Sequence, residues 1–246
     1  MQLYWISPVV LFWVLSKRRR TAWVALTTGL VVSLTVGAVI SFLLDLPSTA
    51  VSLSRPNELD AYMTQYYVNT LTRASPFFVG MIYGYLLYLN KERKTKLSPI
   101  LVSLCWAVAV ACSSFVFFIS QPIGRADFDN QLLDNFLNSF KRPLWAAAIG
   151  WLIFACVQGY AGPVNWFLCL SVWKLPARLS FAMYVFHYPL MFIYQGSLVS
   201  PLFFTVGDVV YRFFSDLVLT FIVSFILTIA IEYPIFNVRK IIISDR

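Results

Sequence analysis

The chain has 246 residues, of which 59% are hydrophobic and only 12% are charged. A soluble globular domain is about one quarter charged, so this composition excludes an ordinary soluble protein, and it also excludes disorder, coiled coil and collagen. The net charge of +8 does not indicate nucleic-acid binding, because the basic runs at residues 17–20 and 91–96 each lie between two apolar stretches. The composition predicts an all-α integral membrane protein whose partner is the lipid bilayer and not nucleic acid.

Seven apolar stretches predict a multi-pass bundle of about seven transmembrane helices in a single domain over residues 1–246. A span needs about 20 apolar residues. The four long stretches are residues 21–44, 97–120, 143–162 and 179–200, and the three shorter ones are residues 3–16, 74–90 and 217–234. A further apolar run, residues 164–173, is too short to cross and is predicted to be interfacial or re-entrant.

The positive charges predict the orientation of these helices. If residues 17–20 are cytosolic, most of the 19 Lys and Arg residues fall on the cytosolic side and most of the 11 Asp and Glu residues fall on the other. The positive-inside rule then predicts an external amino terminus and a cytosolic carboxyl terminus. The two long polar loops, residues 45–73 and 121–142, are predicted to lie outside.

The four cysteines, Cys105, Cys112, Cys156 and Cys169, show no CxxC spacing, and the chain has one histidine. Zinc sites need clustered Cys and His ligands, so we predict no metal site. Cysteines in apolar stretches commonly behave as small hydrophobes, which predicts a packing role for all four. The sequence also lacks GxxxxGK[ST], GxSxG and HExxH patterns, so nothing local supports ATP-driven transport or serine or zinc hydrolysis.

One face of the helix predicted over residues 74–90 combines a cation with two glycines. Asn69, Arg73, Gly80 and Gly84 project in similar directions at 100° per residue. The spacing of Gly80 and Gly84 is a small-xxx-small pattern, which predicts close packing against another helix. Arg73 then has two interpretations: it anchors the helix end at the lipid headgroups, or it holds a carboxylate or phosphate at the mouth of an internal cavity.

A polar stripe runs along the helix predicted over residues 179–200 and includes Ser180, Tyr184, His187 and Tyr194. His187 is the only side chain in the sequence whose ordinary pKa is near neutrality, which makes it the one histidine candidate for a general base. The alternative is that His187 is an interhelical hydrogen-bond partner. No carboxylate lies close to it in sequence.

Glu232 ends the last apolar stretch, in the sequence IEYP at residues 231–234. A carboxylate at that depth either lies at the membrane interface or pairs with a buried cation. The sequence leaves both interpretations open.

Several phrases along the chain resemble one known family. They are MQLYWISP at residues 1–8, TRASPFFVG at 72–80, GYLL at 84–87, RPLW at 142–145, ACVQGYAG at 155–162, LSFAMYVFH at 179–187 and EYP at 232–234. Their order and spacing resemble the carboxyl-terminal part of the acyltransferase-3 family, in the animal branch called nose resistant to fluoxetine.

The resemblance implies a multi-pass membrane protein that transfers an acyl group from acyl-CoA or a similar donor to a hydroxyl-type acceptor, on a small molecule or a lipid. A non-enzymatic protein that binds or transports lipids or hydrophobic small molecules is the alternative. Arg73 matches the family's Arg before its Gly-containing helix, and His187 matches a late-helix His. Arg73, Tyr184 and His187 are therefore the candidate substrate-pocket residues.

The resemblance also implies a gap, because the family's catalytic His lies upstream of the phrase at residues 2–4 and nothing in this sequence matches it. The catalytic residues are therefore unassigned, and His187 is not expected to replace the upstream His. Met1 is expected to be an internal methionine of an incomplete gene model, and these helices alone are expected to be inactive.

Overall fold

The computed structural model describes residues 2–15, 18–49, 55–91, 97–123, 130–198 and 205–244, and the regular structure in these ranges is entirely helical. The all-α prediction is thereby confirmed for the described ranges. The contacts divide the chain into two compact units, Met1–Asn165 and Trp166–Arg246, which we describe separately. The prediction of one domain over residues 1–246 stays a prediction.

The α-helices have the following bounds in chain order: α1 Gln2–Val14, α2 Arg19–Leu44, α3 Leu59–Ala61, α4 Ala74–Leu89, α5 Pro99–Phe118, α6 Ser120–Ile123, α7 Gln131–Gln158, α8 Gly162–Leu168, α9 Lys174–Gly196, α10 Val206–Leu227 and α11 Tyr233–Ser244. Two 3₁₀ turns, Pro56–Glu58 and Ser171–Trp173, precede α3 and α9. Two π-helical segments, Tyr62–Tyr67 and Thr228–Glu232, follow α3 and α10.

Local sequence sets the ends of several helices. The side-chain oxygens of Ser98, Asn130 and Thr205 accept hydrogen bonds from the backbone N–H groups three residues ahead, and so cap α5, α7 and α10. α7 ends at Gly159, whose φ of 86° lies in the left-handed region that favours glycine. The longest helix of the amino-terminal unit therefore has a defined start and a defined stop.

Helix α7 is the centre of the amino-terminal unit and packs against α2, α4 and α5. Its residues Trp151, Phe154 and Ala155 are buried in one cluster with Ala109 of α5. At Gly150 the ring of Tyr83 from α4 occupies the space that a Cβ atom would need. The two helices approach closely because residue 150 has no side chain.

In the carboxyl-terminal unit, α9 packs along α10, and the chain continues through the π-helical segment into α11. Leu179 and Ala182 of α9 and Thr220 and Ser224 of α10 are buried. Most of the large apolar side chains of α10 are exposed, which suits helices that face lipid or further protein.

Four helical segments are long and apolar enough to cross a membrane: Arg19–Leu44, Pro99–Phe118, Gln131–Gln158 and Val206–Val238. The apolar helices α1 and α4 are shorter. Helix α9 has 23 residues, but its tyrosines, prolines and histidine lower its hydropathy. The described ranges thus contain four candidate spans, and the predicted count of seven is not confirmed.

Two predicted boundaries are wrong. The helix predicted over residues 143–162 begins at Gln131 and ends at Gln158, so most of the predicted polar loop 121–142 is helical. Asn130 caps this helix, and its polar first half buries Asp134, Asn135 and Asn138 against protein, which apolar-stretch counting cannot detect. The helix predicted to begin at residue 217 begins at Val206.

The other predicted segments fall close to observed helices or outside the described residues. Within the predicted loop 45–73, residues 56–67 are helical. The run at residues 164–173 forms α8 and a 3₁₀ turn, neither of which is long enough to cross, while its interfacial or re-entrant placement stays a prediction. Residues 16–17, 50–54, 92–96, 124–129 and 199–204 lie outside the described ranges.

The cysteines are only partly used as predicted. Cys105, Cys112 and Cys156 pack against the buried cluster around Trp151. Cys169 is exposed, because it lies at the end of the short helix α8 and not within a long apolar helix. The predicted packing role is therefore wrong for Cys169.

Candidate functional site

An apolar pocket of about 420 Å³ lies between α9 and α10 in the carboxyl-terminal unit. This volume is within the range of small-molecule sites. The polar groups on its wall are few and come from both helices. They are Ser180, Tyr184 and His187 of α9 and Asp216 and Thr220 of α10.

The hydrogen bonds of His187 define which ring nitrogen can accept a proton. Its Nδ1 atom lies 2.6 Å from the carbonyl oxygen of Tyr184 and 3.2 Å from that of Met183. A carbonyl oxygen only accepts, so in the neutral ring Nδ1 carries the proton and Nε2 keeps a free lone pair. His187 can therefore accept a proton or a hydrogen bond at Nε2.

The pocket brings together two of the three predicted substrate-pocket residues. The rings of Tyr184 and His187 are 5.8 Å apart, and both side chains line the pocket. Arg73 belongs to the other unit and is described below. The common site predicted for all three residues stays a prediction.

Asp216 is the pocket residue that the sequence analysis missed. It reaches the wall that carries His187 although the two residues are 29 positions apart. The signal was present, because Asp216 is an ionisable residue within an apolar helix, and such residues commonly face protein or a cavity. Because the predicted helix began at residue 217, Asp216 was placed just outside it and was not among the candidate pocket residues.

Glu232 lines a second apolar pocket of about 330 Å³, together with Phe181, Ala182, Val185 and Phe186 of α9 and residues from the end of α10 onwards. Its side chain is exposed, and it forms no ion pair within the described part of the chain. The neighbouring Thr228 Oγ1 is buried and has no hydrogen-bond partner among the described residues. Thr228 and Glu232 both belong to the π-helical segment, and π-helical turns are frequent at functional sites.

Arg73 is the residue immediately before α4, and its side chain is exposed. Its guanidinium carbon lies 4.4 Å from the ring centre of Tyr67. Arg142 of α7 contacts the same ring at 5.3 Å and the ring of Tyr66 at 5.4 Å. Two arginines from different helices therefore share one tyrosine, an arrangement that the sequence analysis did not predict.

A hydrogen-bonded polar cluster holds the tyrosines beside α7. The Tyr66 hydroxyl donates to the backbone oxygen of Asn138 at 2.6 Å. The Asn138 amide donates to Ser41 Oγ at 3.0 Å, and Ser41 Oγ donates to Asn135 Oδ1 at 2.8 Å. These contacts tie the end of α2, the segment before α4 and the first half of α7 together.

The tyrosines in this cluster are neutral at physiological pH. Burial raises the pKa of Tyr66 to about 12, although Arg142 opposes the shift. Burial also raises the pKa of Tyr62 against the opposing charge of Arg142. The ring of Tyr66 therefore contacts Arg142 and its hydroxyl donates to Asn138, but neither Tyr62 nor Tyr66 supplies a negative charge.

The two guanidinium groups are not neutralised within the described chain. The ion pair found there joins Arg55 to Glu58 at 3.9 Å, and none involves Arg73 or Arg142. Nη1 of Arg142 is buried and lacks a hydrogen-bond partner among the described residues. Sharing one ring places the two charges within about 10 Å of each other, so they repel each other.

Gly80 and Gly84 lie on an exposed face of α4, and a Cβ atom at either position would meet no atom within 4 Å. The close approaches occur instead at Gly150, against Tyr83, and at Gly29, against Phe78. Within the described chain no helix covers the Gly80 and Gly84 face, so its packing role stays a prediction.

Comparison with known proteins assigns the chain to a family. The acyltransferase-3 family model, described as an acyltransferase domain, matches residues 1–236. The chain therefore belongs to the acyltransferase-3 family, and together with its four apolar helices this indicates an integral membrane protein.

The chain is also similar to a particular animal protein. It is 25% identical over 195 residues to Nose resistant to fluoxetine protein 6 of Caenorhabditis elegans. The match covers 77% of this chain and 24% of the relative, so the chain spans about a quarter of that protein's length. The predicted resemblance is confirmed. No solved structure matches the chain.

Proposed function

We propose that this chain is the carboxyl-terminal part of a membrane acyltransferase domain with about seven spans. It would transfer an acyl group from acyl-CoA or a similar donor to a hydroxyl on a small molecule or a lipid. The observation that carries this proposal is the apolar pocket between α9 and α10, which has room for an acyl chain and presents His187 with a free Nε2 atom. Membership of the acyltransferase-3 family supports the reaction class.

The reaction needs an apolar site beside a few polar groups. The acceptor oxygen attacks the thioester carbonyl, so a C–O bond forms, the C–S bond breaks, and the hydroxyl proton passes to a base while the thiolate takes up a proton. In this proposal the apolar wall holds the acyl chain. Tyr184 and His187 line the substrate pocket and bind the acceptor or the carbonyl by hydrogen bonds, whereas the catalytic base is not assigned to this chain.

The proposed topology follows the charge distribution. The amino terminus of the chain lies outside and its carboxyl terminus lies in the cytosol. Single cysteines placed at the exposed residues 60 and 237 in a cysteine-free background test this assignment. A membrane-impermeant thiol reagent applied from outside should label position 60 and not position 237; the reverse pattern would contradict the topology.

The enzymatic proposal is tested by transfer of radiolabelled acyl groups in membranes that contain the full-length protein. His187→Gln removes the imidazole Nε2 acceptor and should lower turnover by about tenfold if His187 hydrogen-bonds the reacting groups. Tyr188→Phe alters an exposed ring outside the pocket and serves as the matched control. Equal turnover of the His187→Gln variant and the control would remove the pocket from the proposal.

A non-enzymatic role in binding or transporting lipids or hydrophobic small molecules is the second candidate. The observation that favours it is the second apolar pocket, which has no histidine on its wall. In the full-length protein, Arg73→Ala should reduce turnover in an enzyme but change only uptake in a carrier. If Arg73→Ala changes neither turnover nor uptake, Arg73 does not belong to the substrate pocket.

A further inference from the structure

Two arginines of the amino-terminal unit lie where polar segments are followed by apolar helical segments. Arg73 is the last charged residue before the apolar helix α4, and Arg142 is the last charged residue of α7 before its apolar stretch at residues 143–158. Helices α4 and α7 pack against each other, and the two guanidinium groups share the ring of Tyr67. Both cations therefore lie at one boundary between polar and apolar surface.

We propose that Arg73, Arg142 and Tyr67 form a binding site for the phosphate of an anionic phospholipid headgroup. The arginines hold two positive charges near one point without a carboxylate partner in the described chain. The unpaired Nη1 atom of Arg142 provides a hydrogen-bond donor that a phosphate oxygen would satisfy. A phosphate near the two guanidinium groups would attract both of them and so offset their mutual repulsion.

The surroundings favour a lipid over a soluble anion. Val68 and Leu71, which lie between Tyr67 and Arg73, are 62% and 59% exposed, and Trp145 beside Arg142 is 46% exposed. Exposed apolar and aromatic side chains next to cations are typical of the membrane interface. They offer acyl chains a surface next to the charged headgroup, which a free phosphate ion would not use.

Stacking on tyrosine keeps the arginines in place without neutralising them. The Tyr62 and Tyr66 rings stack at 5.8 Å, and the Tyr66 hydroxyl is fixed by its bond to Asn138. Neutral rings attract the guanidinium groups through their π faces and leave the positive charge available to a ligand. The tyrosines therefore act as positioning residues for the two cations.

The test is lipid binding to the detergent-purified protein, followed by native mass spectrometry. Dioleoyl phosphatidylglycerol and dioleoyl phosphatidylcholine have the same acyl chains, so a difference between them reports the headgroup. We expect phosphatidylglycerol to bind more tightly, and the double variant Arg73→Gln/Arg142→Gln to weaken it by about ten- to thirtyfold with little effect on phosphatidylcholine. Arg212→Gln, which removes a cation from the other unit, is the matched control and should leave both lipids unchanged.

Two substitutions of Tyr67 distinguish the role of its ring from that of its hydroxyl group. Tyr67→Phe keeps the π face and should bind phosphatidylglycerol like the unaltered protein, whereas Tyr67→Leu should weaken binding. Unchanged phosphatidylglycerol affinity in the double variant, or an equal loss in Arg212→Gln, would overturn the site. If the double variant does not fold, the two single arginine variants replace it: both should weaken phosphatidylglycerol binding selectively, and a variant that does not would overturn the two-arginine site.

A soluble anion is the remaining outcome. Displacement of phosphatidylglycerol by inorganic phosphate at concentrations equal to the lipid would overturn the lipid assignment and identify a free phosphate site. The inference goes beyond acyl transfer, because binding is measured without turnover. Arg142→Gln alters the lipid site alone and His187→Gln alters the pocket alone, so loss of lipid binding in the first and loss of acyl transfer in the second can each occur without the other.

Discussion

The two units differ in how their buried hydroxyl groups are paired, although Arg142 Nη1 and Trp151 Nε1 of the amino-terminal unit are also buried without a partner among the described residues. In the amino-terminal unit Ser41, Asn135 and Asn138 are buried and hydrogen-bonded to one another across two helices. In the carboxyl-terminal unit the buried hydroxyl oxygens of Ser224 and Thr228 have no hydrogen-bond partner among the described residues. Hydrogen bonds between side chains therefore join helices in the first unit, whereas the second leaves two hydroxyl groups unpaired among the described residues, of which Thr228 lines a pocket.

The two units also differ in how densely their apolar side chains pack. The clusters of buried apolar residues found in the described chain lie in the amino-terminal unit. The carboxyl-terminal unit instead has two apolar pockets along the contact between α9 and the helices that follow. Dense packing favours a rigid support, and open apolar pockets favour ligand binding, so the contrast separates a scaffold role from a substrate role.

Removing the amide of Asn138 should have the largest effect on stability. Asn138→Ala deletes the donor to Ser41 Oγ and to the backbone oxygens of Leu46 and Pro47, and leaves buried acceptors unpaired. We expect the free energy of unfolding to fall by about 2 to 3 kcal/mol, measured by denaturant titration in detergent micelles.

Ser224→Ala is the matched control in the carboxyl-terminal unit. It removes a buried hydroxyl that has no partner in the described chain, so unfolding should change by no more than about 0.5 kcal/mol. A loss at Ser224 as large as that at Asn138 would show that the two units do not differ in how they use buried polar groups.

The same substitution at two glycines probes apolar packing with a smaller effect. Gly150→Ala places a Cβ atom in the ring of Tyr83, so α4 and α7 must move apart and stability should fall by about 1 to 2 kcal/mol. Gly84→Ala meets no neighbour and should be neutral or stabilising by up to about 1 kcal/mol. Thermal unfolding in detergent measures both. A loss at Gly84 would indicate a helix packed on that face and would support the original small-xxx-small prediction.

Sequence reasoning identified the helical membrane class and the family because both depend on features within single segments. Long apolar stretches identify α2 and α5, and short phrases such as TRASPFFVG carry the resemblance. It failed at α7, whose first half is polar but buried, because hydropathy measures side chains and not their partners. Apolar counting cannot recognise a helix whose polar residues face protein.

The candidate site shows the same limit. Tyr184 and His187 lie three residues apart on one helix, so their common face could be predicted. Asp216 and Arg142 could not be placed beside their neighbours, because the contacts join segments distant in the sequence. Gly80 and Gly84 show the converse, since a pattern within one helix does not show which helix, if any, covers it.

Tyr66→Phe should give a smaller loss than Asn138→Ala and also has a pH signature. The substitution removes one hydrogen bond to Asn138 and should cost about 1 kcal/mol at neutral pH. Burial raises the pKa of Tyr66 to about 12, above the ordinary value of 10.0, so the folded protein retains a proton that the unfolded chain loses between these values. This contribution to stability is therefore complete below pH 10 and is lost as the pH rises toward 12. Between pH 9 and about 11 the unaltered protein should lose stability faster than Tyr66→Phe, and parallel pH profiles would show that Tyr66 is not buried as a neutral donor.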